Sequence, residues 1–100
     1  MEIIFEYHDV ASSDRLEAHT KEKLEKIFTR YDFVIRADVF FKAENTTSDL
    51  TGKSCGIRLS APGPRLFSEA SHDNFYDAVS ETVNELVRQL EKRKDKMKTY

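Results

Sequence analysis

Apolar residues recur along the chain with two different periods, and these periods predict six elements. A period of two residues, in which every second side chain is apolar, is typical of a half-buried strand. A spacing of three and four residues predicts a helix with one apolar face. The first pattern, with β-branched and aromatic residues, predicts strands over residues 1–8, 33–42, 53–61 and 65–71, and the second predicts helices over residues 14–31 and 75–97.

Capping and turn residues mark the boundaries between these elements. Ser13, or Ser12 beside it, can accept a hydrogen bond from the free N–H groups that begin the first helix, and residues 73–74 can do the same for the second. Pro-Gly-Pro at residues 62–64 predicts a tight turn, because proline restricts φ and glycine tolerates a positive φ. The polar residues 44–52 are predicted to form a loop.

The order β-α-β-β-β-α predicts an α+β fold with one four-stranded sheet and both helices on a single face. The crossover through the first helix should be right-handed. A chain of 100 residues corresponds to a single domain over residues 1–100. The second helix would be about 36 Å long, longer than such a sheet, so we expect its last turns to project.

Those last turns reverse the sign of the charge. The chain has a formal net charge of −2, and residues 88–98 nevertheless hold six cations against two acids. Cations at a helix C-terminus also complement the helix dipole, which is a purely structural explanation. Six cations in eleven residues exceed that need, and a basic strip gains affinity for phosphates by releasing counterions. The cations are Arg88, Lys92, Arg93, Lys94, Lys96 and Lys98.

The first helix carries a second group of basic side chains, sorted onto one face. At 100° per residue they lie within an arc of roughly 80° beside the apolar face, whereas the neighbouring acids lie outside it. Two interpretations stay open: a phosphate-binding stripe, or a solvated surface with pairs such as Glu22 with Lys26. Together the two helices favour structured RNA over a DNA operator, because no motif here reads a major groove. The stripe consists of Arg15, His19, Lys23, Lys26 and Arg30.

The sequence also predicts the environment of one aromatic and one sulfur-containing side chain. Tyr76, at the start of the second helix, could stack on a base or complete the core, and its position favours the core. Cys55 is the one cysteine of the chain and alternates with apolar residues, which predicts a buried small hydrophobic side chain.

Sequence motifs typical of catalytic sites and of membrane-spanning segments are weak in this chain. His8, His19 and His72 have no metal-ligand spacing, and no glycine-rich phosphate loop or nucleophile motif is visible. We therefore expect neither an enzyme nor a metal, cofactor or small-molecule substrate. No run approaches about 18 apolar residues, and Met1 leads directly into a strand pattern, so we expect a cytoplasmic protein.

Residues 74–79, Asn-Phe-Tyr-Asp-Ala-Val, followed by the basic run at 88–98, resemble the ribosome hibernation factors. That family, which includes the short hibernation-promoting factor and the ribosome-associated translation inhibitor, typically has an acid, an apolar residue, Tyr-Ala-Ala-Ile, then Arg-Gln-Leu and a Lys-Asp-Lys ending. Weaker similarity covers residues 23–27 and 34–41. Asn74, Asp77 and Ser80 depart from the family pattern.

The resemblance implies a fold similar to double-stranded-RNA-binding domains, and binding to the small ribosomal subunit in the channel for messenger and transfer RNA. Occupying that channel would silence translation in starved or stationary cells by steric occlusion, without chemistry. Two residues follow Lys98, so the chain is expected to be a short form that lacks a C-terminal dimerisation domain and promotes ribosome pairing. Residues that match basic positions of the family are Lys23, Lys26, Arg88, Lys92, Lys94, Lys96 and Lys98; the charge pattern alone adds Arg15, Arg30 and Arg93.

Two other functions remain open. The basic helix end could dock into an acidic groove of a protein partner, as a modulator of an alternative sigma factor would. The domain could also bind any RNA duplex. Under the leading hypothesis the partners are the small ribosomal subunit and its ribosomal RNA, and the protein is monomeric off the ribosome.

Overall fold

The computed structural model describes residues 2–44 and 52–97, and these residues form the six predicted elements in the predicted order. Lys98 and most of the predicted loop at 44–52 lie outside the described residues, although the main-chain N–H of Glu44 donates to the carbonyl of Gly52 at 2.8 Å. The elements are β1 (Glu2–His8), α1 (Asp14–Arg30), β2 (Arg36–Ala43), β3 (Lys53–Ser60), β4 (Leu66–His72) and α2 (Phe75–Met97).

α1 begins as the sequence predicts and ends one residue earlier. Ser13 has an extended backbone, and its hydroxyl accepts a hydrogen bond from the N–H of Leu16 at 3.2 Å, which satisfies one free donor of the first turn. Tyr31 was expected to be the last helical residue. It instead leaves the helical conformation, with φ −122° and ψ 79°, while its N–H still donates to the carbonyl of Ile27.

The predicted start of β2 at residue 33 is wrong. The N–H of Val34 donates to the carbonyl of Tyr31 at 3.1 Å, so Phe33 and Val34 belong to the turn after α1. Val34 is buried and Ile35 is 65% exposed, the reverse of the predicted alternation. The turn shifts the alternation of buried and exposed side chains by one residue, and the regular alternation of the strand begins only at Arg36.

The sheet has the strand order β1-β2-β3-β4, with β1 parallel to β2 and the other two pairs antiparallel. One row across the sheet joins Tyr7, Phe41, Cys55 and Ala70. Because side chains alternate between faces, this row and the rows two residues away all point to the same side. That side carries both helices, as predicted, and no described helix covers the other, which we call the open face.

Phe41 lies at the centre of the core between sheet and helices. It is fully buried, and its ring contacts Tyr7 on β1 at 5.5 Å and Phe75 on α2 at 5.6 Å between centroids. Leu86 and Leu90, also fully buried, continue the apolar face of α2. Truncating any such side chain to alanine typically costs about 2–5 kcal/mol of stability.

Cys55 is fully buried in the same core, as its alternation predicts, and burial raises the pKa of its thiol to about 12. The buried hydroxyl of Thr82 donates to the Cys55 carbonyl at 3.1 Å, which ties α2 to β3. Neither α1 nor α2, the helices of the described residues, is long and apolar enough to cross a membrane.

Candidate nucleic-acid interface

The basic stripe of α1 faces a shallow groove between the two helices. The groove has a volume of about 210 Å³. Lys23 and Lys26 form its α1 wall beside the buried Ile27, since residues three and four apart share one side of a helix. We call it the interhelical groove, and its lining residues are Lys23, Lys26, Ile27, Tyr31, Val83, Asn84 and Val87.

Lys23 and Lys26 keep their charges available to a ligand. Lys26 is exposed and Lys23 is half-buried. Within residues 2–44 and 52–97, neither ammonium group makes an ion pair or a hydrogen bond. The i,i+4 pair of Glu22 with Lys26, which the sequence allowed as a structural explanation, does not form. Apolar side chains below and free cations at the rim suit a polyanion that lies across the groove.

One end of the groove is closed by a contact between α1 and α2. A single carboxylate oxygen of Glu91 accepts hydrogen bonds from the Arg30 guanidinium and from the Tyr31 hydroxyl. The Tyr31 side chain is 1% exposed, and its burial, with the hydrogen bond to Glu91, raises the pKa of its hydroxyl to about 12. Arg30 was predicted to contact RNA. In this structure its charge already has a partner on α2.

Lys94 brings a third cation to this end of the groove. Its Nζ lies 5.9 Å from the centroid of the Tyr31 ring, within the range of a cation–π contact. Lys94 thus adds a cation from α2 beside Tyr31, which lines the same groove as Lys23 and Lys26.

At the other end His19 meets Tyr76, with ring centroids 4.9 Å apart and an edge-to-face angle of 74°. The expectation that Tyr76 completes the core is wrong, because its side chain is 39% exposed. The ring lies in the first turn of α2, against His19. The Nε2 atom of His19 is enclosed and has no hydrogen-bond partner among the described residues.

Arg93 does not line the groove. Its two terminal nitrogens donate to the main-chain oxygens of Pro62 and Pro64, both at 2.8 Å, on the turn between β3 and β4. That turn has the geometry the sequence predicts, since Gly63 has a φ of 95°. The contact anchors α2 against the sheet as far as Arg93, so any projection of its basic end, which the sequence predicts, begins after this residue.

The remaining predicted cations lie elsewhere on α2. Arg88 is on the outer side of the helix, where its side chain is 77% exposed and approaches Glu85 at 3.4 Å. Lys92 and Lys96 follow at intervals of four residues and are exposed on the same side. The five cations of the predicted strip that the structure describes are thus divided among the groove, the turn and the outer face, and Lys98 lies outside the described residues. Arg15 is exposed in the first turn of α1.

Sequence reasoning missed residues on two different surfaces. Tyr31 and Asn84 line the groove, but nothing in their spacing distinguished them from ordinary core and surface positions. On the open face, Phe40 and Arg58 alternate with buried neighbours, and that alternation was a usable signal that both point outward. Among the residues that the structure covers, no three His, Cys, Asp or Glu side chains are placed to hold a metal ion.

Comparison with known proteins places this geometry in a family. The chain is 24% identical over 99 residues to the ribosome hibernation promoting factor of Pseudomonas putida. The aligned region covers 99% of this chain and 92% of that protein. The fold matches a ribosomal subunit interface protein from Coxiella burnetii with a TM-score of 0.79 at 25% identity, over 95% of this chain and 99% of the other.

The fold also matches the N-terminal domain of Protein Y from Thermus thermophilus, with a TM-score of 0.72 over 91% of this chain and 93% of the other. At 18% sequence identity this match shows a likeness of fold alone. A sequence model of the family described as Sigma 54 modulation protein / S30EA ribosomal protein matches residues 3–98. These matches confirm the resemblance predicted from sequence, and the chain belongs to the Sigma 54 modulation protein / S30EA ribosomal protein family.

Proposed function

We propose that this protein binds the small ribosomal subunit through ribosomal RNA and silences translation by occupying the channel for messenger and transfer RNA in starved or stationary cells. The observation that carries the proposal is the placement of Lys23 and Lys26 along the interhelical groove without an acidic partner among the described residues. The names of the relatives support it, since one is a hibernation promoting factor and another a ribosomal subunit interface protein.

The physical mechanism is electrostatic anchoring of a rigid body. Each lysine that neutralises a phosphate releases bound counterions, which gives affinity without reading any base. Lys94 extends the anchoring surface from α2, and Arg88 and Lys92 offer a second line of charge on its outer side. The domain is elongated, with extents of 50 × 24 × 18 Å, a shape suited to filling a channel.

In this proposal the protein performs no chemistry and uses no cofactor, because occupancy alone excludes messenger and transfer RNA. It acts in the cytoplasm as a single domain that is monomeric off the ribosome.

The test is co-sedimentation with purified small subunits across a range of salt concentrations. Replacing Lys23 and Lys26 together with glutamine should weaken binding and reduce the slope of log affinity against log salt by roughly two, about one per cation. The matched control replaces Lys42 and Lys53, two exposed cations at one end of the sheet, and makes the same change of charge. Equal affinity and slope for both double variants would refute the role of the groove.

The same experiment separates the other two candidate functions. Association that survives ribonuclease and the groove substitutions would favour a protein-interaction adaptor. Affinity for a plain synthetic RNA duplex within tenfold of that for the subunit, or about 1.4 kcal/mol, would favour a general duplex-binding module.

A further inference from the structure

The open face of the sheet carries two aromatic rings that the core does not use. Phe40 on β2 and Phe67 on β4 stack with centroids 5.9 Å apart and planes 16° from parallel. Phe67 is 44% exposed, which makes it one of only three large apolar side chains exposed in the described part of the chain. We call this pair the aromatic shelf.

A glycine on the strand between them makes the shelf flat. Gly56 on β3 is paired with Phe40, and a Cβ atom at Gly56 would lie 2.3 Å from the Phe40 ring. The ring therefore lies directly on the main chain of β3 and reaches toward Phe67. With any larger residue at position 56 the ring would have to stand away from the sheet, and the two parallel planes would be lost.

Two arginines border the shelf with their charges unused. Arg58 is the cross-strand partner of Phe67, and Arg65 precedes Phe67 by two residues. Both are exposed, and neither guanidinium has an ion pair or a hydrogen bond within the described residues. Arg36 on the same face is different, because Asp38 holds it at 2.8 Å and Glu2 at 3.2 Å.

The shelf continues into a depression of about 300 Å³ on the open face. Phe40 forms one side of it, and Arg58 and Arg65 contribute positive charge without a partner among the described residues. Ser60 contributes a hydroxyl, and two carboxylates also line it, those of Glu6 and of Asp38, the second of which is paired with Arg36. This volume is at the lower limit of small-ligand sites, which typically span about 300–1,000 Å³. Its lining includes Phe40 and both arginines, and it lies beside Phe67 without including that ring.

We propose that the aromatic shelf, with Arg58 and Arg65, binds unpaired bases of single-stranded RNA. A base would stack on the exposed Phe67 ring, and the two guanidiniums would bind the phosphates on either side of it. A nucleotide is the ligand that matches both features at once, because it joins a flat π-face to a negative charge, whereas an acidic peptide uses only the arginines. The site goes beyond the proposed function, since it lies on the opposite side of the sheet from the groove and takes a different form of RNA.

The test measures fluorescence anisotropy of a short labelled oligoadenylate with the whole protein, in the absence of ribosomes. We expect Phe67→Leu to weaken binding about tenfold, the effect of one lost base–aromatic stack, equivalent to about 1.4 kcal/mol. Tyr76→Leu is the matched control because it removes the exposed aromatic ring from the helical side, and it should leave the affinity unchanged. Arg58→Gln should reduce the salt slope by roughly one.

An oligonucleotide of the same length with abasic riboses separates stacking from charge. It should bind the wild-type protein about tenfold more weakly than oligoadenylate and should not distinguish Phe67→Leu from wild type. Equal binding of the two oligonucleotides, or no binding of either, would overturn the proposal. Concentration-dependent dimerisation that Phe67→Leu abolishes would overturn it as well, by assigning the shelf to a second copy of the chain.

Phe67 is suited to this test because its exposed ring can be replaced without opening the core, and circular dichroism would verify the fold of the variant. The groove variants at Lys23 and Lys26 can lower the salt slope of oligonucleotide binding by removing general phosphate attraction, but they should keep the tenfold difference between oligoadenylate and the abasic strand, which depends on Phe67. The two proposals can therefore fail independently: one on ribosomal subunits and the other on free single strands.

Discussion

The guanidinium of Arg93 donates a hydrogen bond to the main-chain oxygen of Pro62, 31 residues earlier in the chain. A second bond to Pro64 makes the contact bidentate, so the side chain joins the C-terminal part of α2 to the connection between β3 and β4. In the sequence Arg93 was one cation among six. In the fold its guanidinium is bound to the turn between β3 and β4, whereas the neighbouring Lys92 is exposed.

Arg93→Gln should therefore affect stability more than RNA binding. Loss of two charged hydrogen bonds at a partly exposed site should lower the free energy of unfolding by about 1 kcal/mol, and the melting temperature by about 4–8 °C. The slope of ribosome affinity against salt should not change. Thermal denaturation and the co-sedimentation assay measure the two effects.

Lys92→Gln provides the control for this substitution, because Lys92 is exposed on the next residue. Its stability should stay within about 0.5 kcal/mol of wild type. If Arg93→Gln were as stable as Lys92→Gln, the turn would be held by other contacts and Arg93 would return to the list of candidate RNA ligands.

Glu91 should be the most important surface carboxylate for joining the helices, since both Arg30 and Tyr31 donate to it. Glu91→Ala leaves the buried Tyr31 hydroxyl without its acceptor and should cost about 1–2 kcal/mol in urea denaturation. Glu91→Gln keeps an acceptor oxygen and should cost less. Glu85→Ala, which breaks only an exposed contact to Arg88, should change stability by less than about 0.5 kcal/mol; equal losses for Glu91→Ala and Glu85→Ala would contradict this assignment.

Stability should fall as the pH rises from about 10 to about 12. Burial, assisted by hydrogen bonds to Glu17 and Glu91, raises the pKa of both Tyr7 and Tyr31 to about 12, against an ordinary value of 10.0. Above pH 10 the unfolded chain loses these protons while the folded protein keeps them, so ionisation favours unfolding until the folded hydroxyls also titrate.

Urea denaturation at several pH values in this window would measure the effect, with the absorbance of tyrosinate as a second reading. Tyr31→Phe and Tyr7→Phe should each reduce the alkaline loss of stability, because phenylalanine has no proton to release. Tyr76→Phe, which changes an exposed side chain, is the comparison. A pH profile identical in all four proteins would show that other groups cause the loss.

Gly56→Ala should destabilise the protein by about 1–3 kcal/mol, because the new methyl group would lie 2.3 Å from the Phe40 ring and force it to move. The penalty should largely disappear when Phe40 is also replaced by alanine. Urea denaturation of the two single variants and the double variant gives the coupling energy. If the two substitutions had additive effects on stability, the Phe40 ring would be free to move away from residue 56. The contact with Gly56 would then not explain why the aromatic shelf is flat.

Most of the fold could be predicted from local spacing. Helices and strands reflect periods of 3.6 and 2 residues, which are written into neighbouring positions, and Ser13 and Gly63 act within one turn of the chain. The main error was at β2, where the turn after α1 shifted the phase by burying Val34 and exposing Ile35. Such a shift depends on how the turn packs, which the alternation alone does not encode.

For the candidate site, the sequence could predict only which charged residues are present and on which helix face they lie. The arc on α1 follows from helical geometry, and it placed Lys23 and Lys26 correctly on one face. Which cations stay free was decided by partners far away in the chain: Glu91 is 61 residues from Arg30, and Phe67 reaches Phe40 across a third strand. The sequence by itself determined the elements, their order and the sign of each surface, because these depend on residues within a few positions of one another. Only the tertiary structure decided which charges are neutralised and which rings meet, since those contacts depend on how the helices and strands dock.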